Sequence, residues 1–575
     1  MADNDLQWVP PASTMPKPAA AAQPAQPARP AQPSRPPAAP QQARPAAPAA
    51  PAGAQPAQKP AQPRPAQPVV PPQPSTFRPT GFGGRTGVFG SEEPRKEVIE
   101  LAAVPSGPLT VNDLRQWMQD AYVKQKDGDL DSAIALYRRV LSVRPDLRSA
   151  WANLGVVYRK AKRPDLALVC YGRALDGDPN NAGVLGNMGN AYKDLERFDE
   201  ALATHKRAVE ADPKAVGLLH NYGVCLAESG RPDLARDVFN KVLELQPDHI
   251  DAHWDRSMSS LKLADFSKSS WDDYEWRWRL AELANYRAPT TAPLWRGEPL
   301  KGRTLLVYSE QGFGDTLFSM RYLPKLKGID GKVIFRCQPD LMRLVTELAD
   351  FCDLASAKAA PPPHDVACPV MSLIGYFTRS VEDIPPPPKL VIPEGAGAKA
   401  LPRLRAAGDR LKVGIIWSGS VTFRGNHRRA VPLDKFLRFA ENADLQLFSL
   451  QKGPPFDEFK RLQPHPMIID LGSYFDDFAD TAAVLKQLDL VLMTDSSVAH
   501  LAGSLGVKVW DLMNYNSYWI YFTNREDSPW YPSFRLLRQP SHGDWDGLFE
   551  QVAGELKVLA AEHRARQQAA AKPAA

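Results

Sequence analysis

The sequence predicts an α-solenoid of helical hairpins followed by an α/β module of two facing Rossmann-like domains, with a disordered Pro/Ala-rich tail ahead of both. Three observations carry this expectation. Pro145, Pro179, Pro213 and Pro247 stand 34 residues apart, as do Gly155, Gly189 and Gly223, and a beat of that length marks a repeated two-helix unit. Beyond Arg303 the texture changes to short β-rich runs, each leading into a polar or glycine-rich loop and then a helical stretch. That is the pattern of a parallel sheet with crossover helices. Before either, the first 75 residues are dominated by Pro, Ala and Gln, with few large apolar side chains to bury.

Residues 1–108 form the tail and a linker. Proline removes backbone donors and breaks helices, so the Pro-rich part is expected to be extended, with polyproline-II character. It serves either as a spacer or as a ligand for a proline-binding domain. The opening residues, Met1-Ala-Asp-Asn-Asp5, are acidic and lack an apolar run, so they are not expected to act as a secretory signal.

Residues 109–285 carry the repeats. Trp151, Leu154, Gly155, Tyr158, Ala167, Tyr171, Ala174 and Pro179 fill one unit; Leu185, Met188, Gly189, Tyr192, Ala201, His205, Ala208 and Pro213 fill most of the same slots in the next. This is the residue pattern of tetratricopeptide repeats: small residues where two helices close on one another, and a proline that ends the second helix. Such arrays usually grip another polypeptide. Asn153, Asn187 and Asn221 keep the same beat. A side-chain amide offers both a donor and an acceptor, so these residues can hold a peptide backbone, or else satisfy local turns. Gln119 and Asp255 interrupt the series at either end. The fifth unit closes on Trp271, Tyr274, Trp276 and Trp278, an aromatic face suited to a cap or to a joint docking the array on the α/β module; sugar stacking is the alternative.

The α/β part divides into residues 300–400 and 410–565. Thr304–Tyr308 reads as a strand, Ser309–Asp315 as a glycine-rich loop, Thr316–Lys325 as a helix and Lys332–Arg336 as a second strand. The pattern restarts with strands over 412–417, 445–449 and 488–493, each ending in a polar loop. Ligands in such sheets bind at the carboxyl ends of the strands. Gly312-Phe-Gly314 is not a dinucleotide fingerprint, because position 317 is Leu where a third glycine is needed.

Composition excludes several classes. The net charge is +5 over 575 residues with no long basic run, which argues against nucleic acid as a partner. The five cysteines are scattered without a Cys-x-x-Cys pair, so neither a zinc site nor a disulfide framework is expected, and a reducing cytoplasm fits them. No apolar run approaches the ~18 residues of a membrane span.

Taken together, Glu310-Gln-Gly-Phe-Gly-Asp315 with Arg321-Tyr-Leu-Pro324, Val413-Gly-Ile-Ile-Trp417-Ser-Gly, Ser449-Leu-Gln-Lys-Gly453 and Thr494-Asp-Ser-Ser-Val-Ala-His-Leu-Ala-Gly-Ser-Leu-Gly506 resemble the tetratricopeptide-linked bacterial glycosyltransferases. These are similar to heptosyltransferases and, more distantly, to protein O-GlcNAc transferases. The resemblance spans roughly Val111 to Leu559. It implies a GT-B fold, with the acceptor on the N-terminal half and the nucleotide sugar mainly on the C-terminal half. It also implies no metal and no cofactor beyond the donor, CMP- or UDP-linked. The array would hold the acceptor protein, and Asn153, Asn187 and Asn221 resemble the asparagine ladder of the O-GlcNAc transferases. Some proteins of this layout modify flagellin, which gives one lead for the acceptor. A non-catalytic scaffold that senses a nucleotide sugar, or a glycan-modifying transferase, remains the alternative.

The residues themselves suit that chemistry. A hydroxyl acceptor must lose a proton as a glycosidic bond forms, and Asp315 is the candidate base, with Glu310 second. Asp315 fits equally well as a helix N-cap. Asp495 and Ser496 follow a strand and can cap a helix beginning near Ser497, whose N-terminus suits a phosphate. His500 lies one turn in, as a further donor or as a locally packed side chain. Gly312 and Gly314 open the first loop, and Ser418 follows the Trp417 strand. Arg424, His427, Arg428 and Arg429 gather positive charge beside it and cannot be separated from one another by sequence. The heptosyltransferase pattern has a lysine in this segment. Gln451 and Lys452 end the next strand, where they can approach the nucleotide.

Overall fold

A glycine at every 34th position lets two helices close on each other. A Cβ on Gly155 would stand 2.5 Å from the Tyr171 ring, one on Gly189 2.8 Å from His205 and one on Gly223 2.5 Å from Phe239. The computed structural model describes residues 109–280, 290–423, 425–461 and 467–570; the sequence-predicted tail, residues 1–108, lies outside them. The array is built from α1 (Val111–Asp127), α2 (Leu130–Val143), α3 (Arg148–Lys160), α4 (Pro164–Leu175), α5 (Ala182–Asp194), α6 (Phe198–Ala211), α7 (Val216–Glu228), α8 (Pro232–Leu245) and α9 (Ile250–Lys262). Thr110 and Asp113 close a capping box at its start, and Pro164 and Pro232 stand in the first turn of their helices, where no donor is lost. Each periodic proline follows the end of a second helix. Gly223→Ala is expected to cost roughly 1–3 kcal/mol, because a rigid ring has to give way. Chemical denaturation measures it, and an unchanged midpoint would remove close approach as the reason for the glycine.

The aromatic unit resolves as α10 (Lys268–Tyr274) and a 3₁₀ turn over Glu275–Arg279, and it is a joint. Trp271 Nε1 donates to Thr378 O at 3.0 Å, and Phe266 packs edge-on to Trp519, Phe522 and Trp530 of the C-terminal half. Trp271 and Tyr274 are buried, which leaves neither ring open to a sugar.

The first sheet contains β1 (Thr304–Tyr308), β2 (Lys332–Cys337), β3 (Asp353–Ser356) and β4 (Val366–Pro369), in the order β3-β2-β1-β4. Its helices are α11 (Phe313–Ser319) and α12 (Ser372–Phe377). The helix expected over 316–325 starts earlier and tightens to 3₁₀ over Met320–Leu326, where Pro324 lacks a backbone donor. The second sheet contains β5 (Leu411–Ile416), β6 (Leu445–Ser449), β7 (Ile468–Asp470), β8 (Leu490–Thr494), β9 (Val509–Met513) and β10 (Phe534–Arg538), with α13 (Asn426–Arg429), α14 (Asp434–Leu437), α15 (Phe456–Arg461), α16 (Phe478–Leu485), α17 (Ser497–Ser504) and α18 (Trp545–Ala570) around them. Its order is β10-β9-β8-β5-β6-β7 and every pairing is parallel. This is a doubly wound sheet whose order reverses between β5 and β8, the place where sheets of this kind bind their ligands.

Strand alternation sorts the core. Val413, Ile415, Trp510 and Leu512 face one side, with Leu548, Phe549, Val552 and Leu556 of α18. Ile416, Val509 and Met513 face the other, in a cluster that runs on through Leu305 and Val307 of the first sheet to Leu261, Phe266, Trp271 and Tyr274 of the array. The last helices of the array therefore share one apolar cluster with the α/β module.

Candidate functional site

The crevice forms where three loops end. After β8, Ser496 caps α17 with its side chain accepting from Val498 N at 3.3 Å. The first N–H groups of α17 have no acceptor within the helix and carry its positive end. Asp495, just before, takes a different task. Its Oδ2 pairs with Arg429 at 3.1 Å and its Oδ1 accepts from the Tyr521 hydroxyl at 2.7 Å. Arg429 comes from α13, its guanidinium over the Phe423 ring, and a Cβ on Gly419 would stand 2.6 Å from it. The glycine makes room for the cation.

From the first half, Gly312 caps α11, and Asp315 at the third helical position returns to accept from Gly312 N at 2.9 Å. Asp315 thus closes the first turn of α11 instead of capping a helix beyond it. Gly314 lets α11 lie directly on α17: a Cβ there would meet His500 at 2.9 Å and Ser497 at 3.3 Å. The two helix heads so meet and bring Asp315 within electrostatic reach of Asp495 and Arg429. Burial, reinforced by the Asp495 charge, raises the Asp315 carboxyl to about 6, with the Gly312 N–H and Arg429 opposing. Burial and the same Asp495 hold Asp511, inside β9, well above the usual carboxylate range.

Other sequence-predicted residues go elsewhere. Glu310 is a buried ion-pair partner: Arg277 Nε and Nη2 each reach its carboxylate at 3.2 Å and Met371 N donates at 3.0 Å. Both of its oxygens are engaged by buried donors. Gln451 is consumed by backbone, accepting from Trp417 N and Ser418 N and donating to Ser418 O and Lys452 O. It stitches the β5 and β6 loops together. Lys452 donates to Phe475 O at 2.6 Å. Ser418 Oγ is held by Asn426 at 3.0 Å. His500 is buried against Tyr531, its Nδ1 3.2 Å from that hydroxyl, and desolvation lowers it to about 4, so the ring is neutral. Arg428 turns away to the array, 3.0 Å from Glu228 of α7. His427 is exposed, and Arg424 lies outside the described residues. Of the three described basic candidates, Arg429 stands beside Asp495 at the head of α17. Of the three asparagines, Asn153 is buried, while Asn187 and Asn221 remain partly exposed.

Two tyrosines complete the cleft without a sequence signal of their own. Tyr521 and Tyr518 sit in the segment after β9, a strand the pattern did not mark, and Tyr518 lies within electrostatic reach of Asp315 and Asp495. Among the described residues, no cluster of three or more His, Cys, Asp or Glu is placed to hold a metal ion, and no helix is long and apolar enough to cross a membrane.

The tetratricopeptide repeat family matches residues 120–182 and 187–250, and a second tetratricopeptide family matches 158–215. The chain is 25% identical over 319 residues to Protein FlbA of Caulobacter vibrioides, covering 51% of this chain and 52% of FlbA. It thus spans about half the length of that relative. Among solved structures, the array resembles YrrB, described as a TPR protein with an unusual peptide-binding site (22% identity, 29% of this chain and 85% of that one, TM-score 0.25). It also resembles PilF of Pseudomonas aeruginosa (24%, 28% and 74%, 0.27) and MamA (18%, 31% and 97%, 0.26).

Proposed function

We propose that this chain is a protein O-glycosyltransferase of the GT-B type, with the array holding the acceptor protein. The observation that supports it most is the apposition of Asp315 in the first half with the α17 head and Arg429 in the second, across a cleft at the carboxyl ends of two parallel sheets. In this reading the acceptor Ser or Thr oxygen attacks the anomeric carbon and its proton passes to Asp315. The bond from that carbon to the phosphate oxygen breaks, and the electron pair leaves with the phosphate. The α17 N–H groups and Arg429 stabilise the departing charge. Glycosyl transfer to flagellin is the acceptor reaction the family resemblance offers.

The test is titration of the protein with CMP, UDP, GDP and ADP, followed by transfer from the matching sugar donor. One clear binder and a sugar on the acceptor protein are expected. A folded protein that binds none of the four sinks the reading and leaves a scaffold. Since Asp315 must be ionised to accept a proton and its carboxyl stands at about 6, turnover should fall as pH drops through about 6. A flat profile across that range would exclude Asp315 as the base. Replacing Asn187 and Asn221 together by Ala should weaken acceptor capture, read as a raised acceptor KM, with donor hydrolysis unchanged. Equal loss of both activities would instead indicate misfolding.

A further inference from the structure

The last repeat sends two buried basic side chains into the loops at the strand ends, one to each half. Lys262, at the end of α9, is buried, and its Nζ donates to Ser517 O at 2.7 Å and to Asn516 Oδ1. These two residues lead directly into Tyr518 and Tyr521. Arg277, in the turn after α10, is fully buried. It grips Glu310 with two nitrogens, and its Nη2 donates to Ser372 Oγ at 2.7 Å. Glu310 opens the loop that ends in Asp315 and, through Met371 N, ties that loop to the end of β4. A guanidinium or amine taken from water is costly unless its partners are fixed in place, and burial lowers the Lys262 amine to about 7. A simple linkage between a protein-gripping array and a separate enzyme would need neither.

We propose that the array is itself part of the transferase site, with Lys262 and Arg277 as positioning residues that set the Tyr518–Tyr521 segment and the Asp315 loop against each other. The inference rests on the function proposed above. The core continuous from Leu261, Phe266, Trp271 and Tyr274 to Trp519 and Trp530 makes the repeat end a rigid strut between the two cleft walls. Cleft geometry, and not only acceptor capture, therefore depends on the repeats.

Hydrogen exchange of the full-length protein, read segment by segment, tests this without reference to activity. In Lys262→Met, which keeps the side-chain length, amides over 514–521 should exchange about three- to tenfold faster, the scale of a lost buried hydrogen bond. In Arg277→Lys, which keeps the charge but not the two-pronged grip, the gain should fall over 309–315. In both, kcat should drop while the acceptor KM holds. Unchanged protection of these loops in the folded variants would overturn the proposal. So would faster exchange spread evenly over array and sheets, which marks ordinary destabilisation. If the wild-type protein binds no nucleotide, the transferase reading fails, and the exchange pattern still decides whether the array pins the cleft.

Discussion

Asp315→Asn is expected to lower turnover by about 10²–10⁴-fold, the usual contribution of a positioned base, with nucleotide affinity unchanged. Asparagine is the informative replacement because its carbonyl oxygen can still accept from Gly312 N, the bond that closes the first turn of α11. Loss of activity then reports loss of a proton acceptor and not loss of a cap. The acid limb of the pH profile should vanish with it. A companion variant fixes the electrostatics. Asp495 raises the Asp315 carboxyl and Arg429 lowers it, while Asp495 itself neutralises Arg429. Asp495→Asn removes the repulsion and frees the cation, and both changes act in one direction, so the limb should move below about 6. Nucleotide titration alongside single-turnover rates separates these effects. Wild-type turnover in Asp315→Asn, or a limb that stays in place in Asp495→Asn, would remove Asp315 from the mechanism.

Glu310→Ala should be strongly destabilising, at about 1.5–3 kcal/mol, the scale of lost charged hydrogen bonds, because it takes the two-pronged partner from buried Arg277 and leaves it only Glu275, Ser372 and the Tyr274 carbonyl. The Glu310 and Arg277 side chains are both wholly buried, so water does not replace the lost carboxylate, and Glu275, 2.6 Å from Arg277 Nη1, is left as its acidic partner. The double variant Glu310→Gln with Arg277→Met should recover most of that loss, since what is costly is a buried charge short of partners and not the absence of a pair. Equilibrium denaturation of the three proteins measures both. A loss near that of an exposed pair, under about 1 kcal/mol, would show that Glu275 and Ser372 satisfy Arg277 without Glu310.

The contrast between these two carboxylates shows what each level of description decides. Both belong to one loop motif, Glu310-Gln-Gly-Phe-Gly-Asp315, and by type and spacing either can take a proton. Fold class was legible because it derives from local regularities. A 34-residue beat of small, aromatic and proline residues dictates helical hairpins wherever the chain lies, and β-rich runs separated by polar loops dictate a parallel sheet. The α17 head was legible for the same reason: Ser496 caps a helix whose start is written in its own residues. Side-chain assignment was not, because it depends on what arrives from distant segments. Arg277 comes 33 residues earlier and claims Glu310; Gln451 is spent on backbone 33 and 34 residues away; Arg428 and Arg429 are neighbours that part, one to Glu228 of the array and one to Asp495 of the crevice. Adjacent helical residues point in different directions, so sequence proximity alone could not separate them. The sequence by itself determined the repeats, the parallel-sheet module and the loops at the strand ends. Only the tertiary structure decided which charges meet, because a buried charge is defined by its partner, and the partners here lie on other elements.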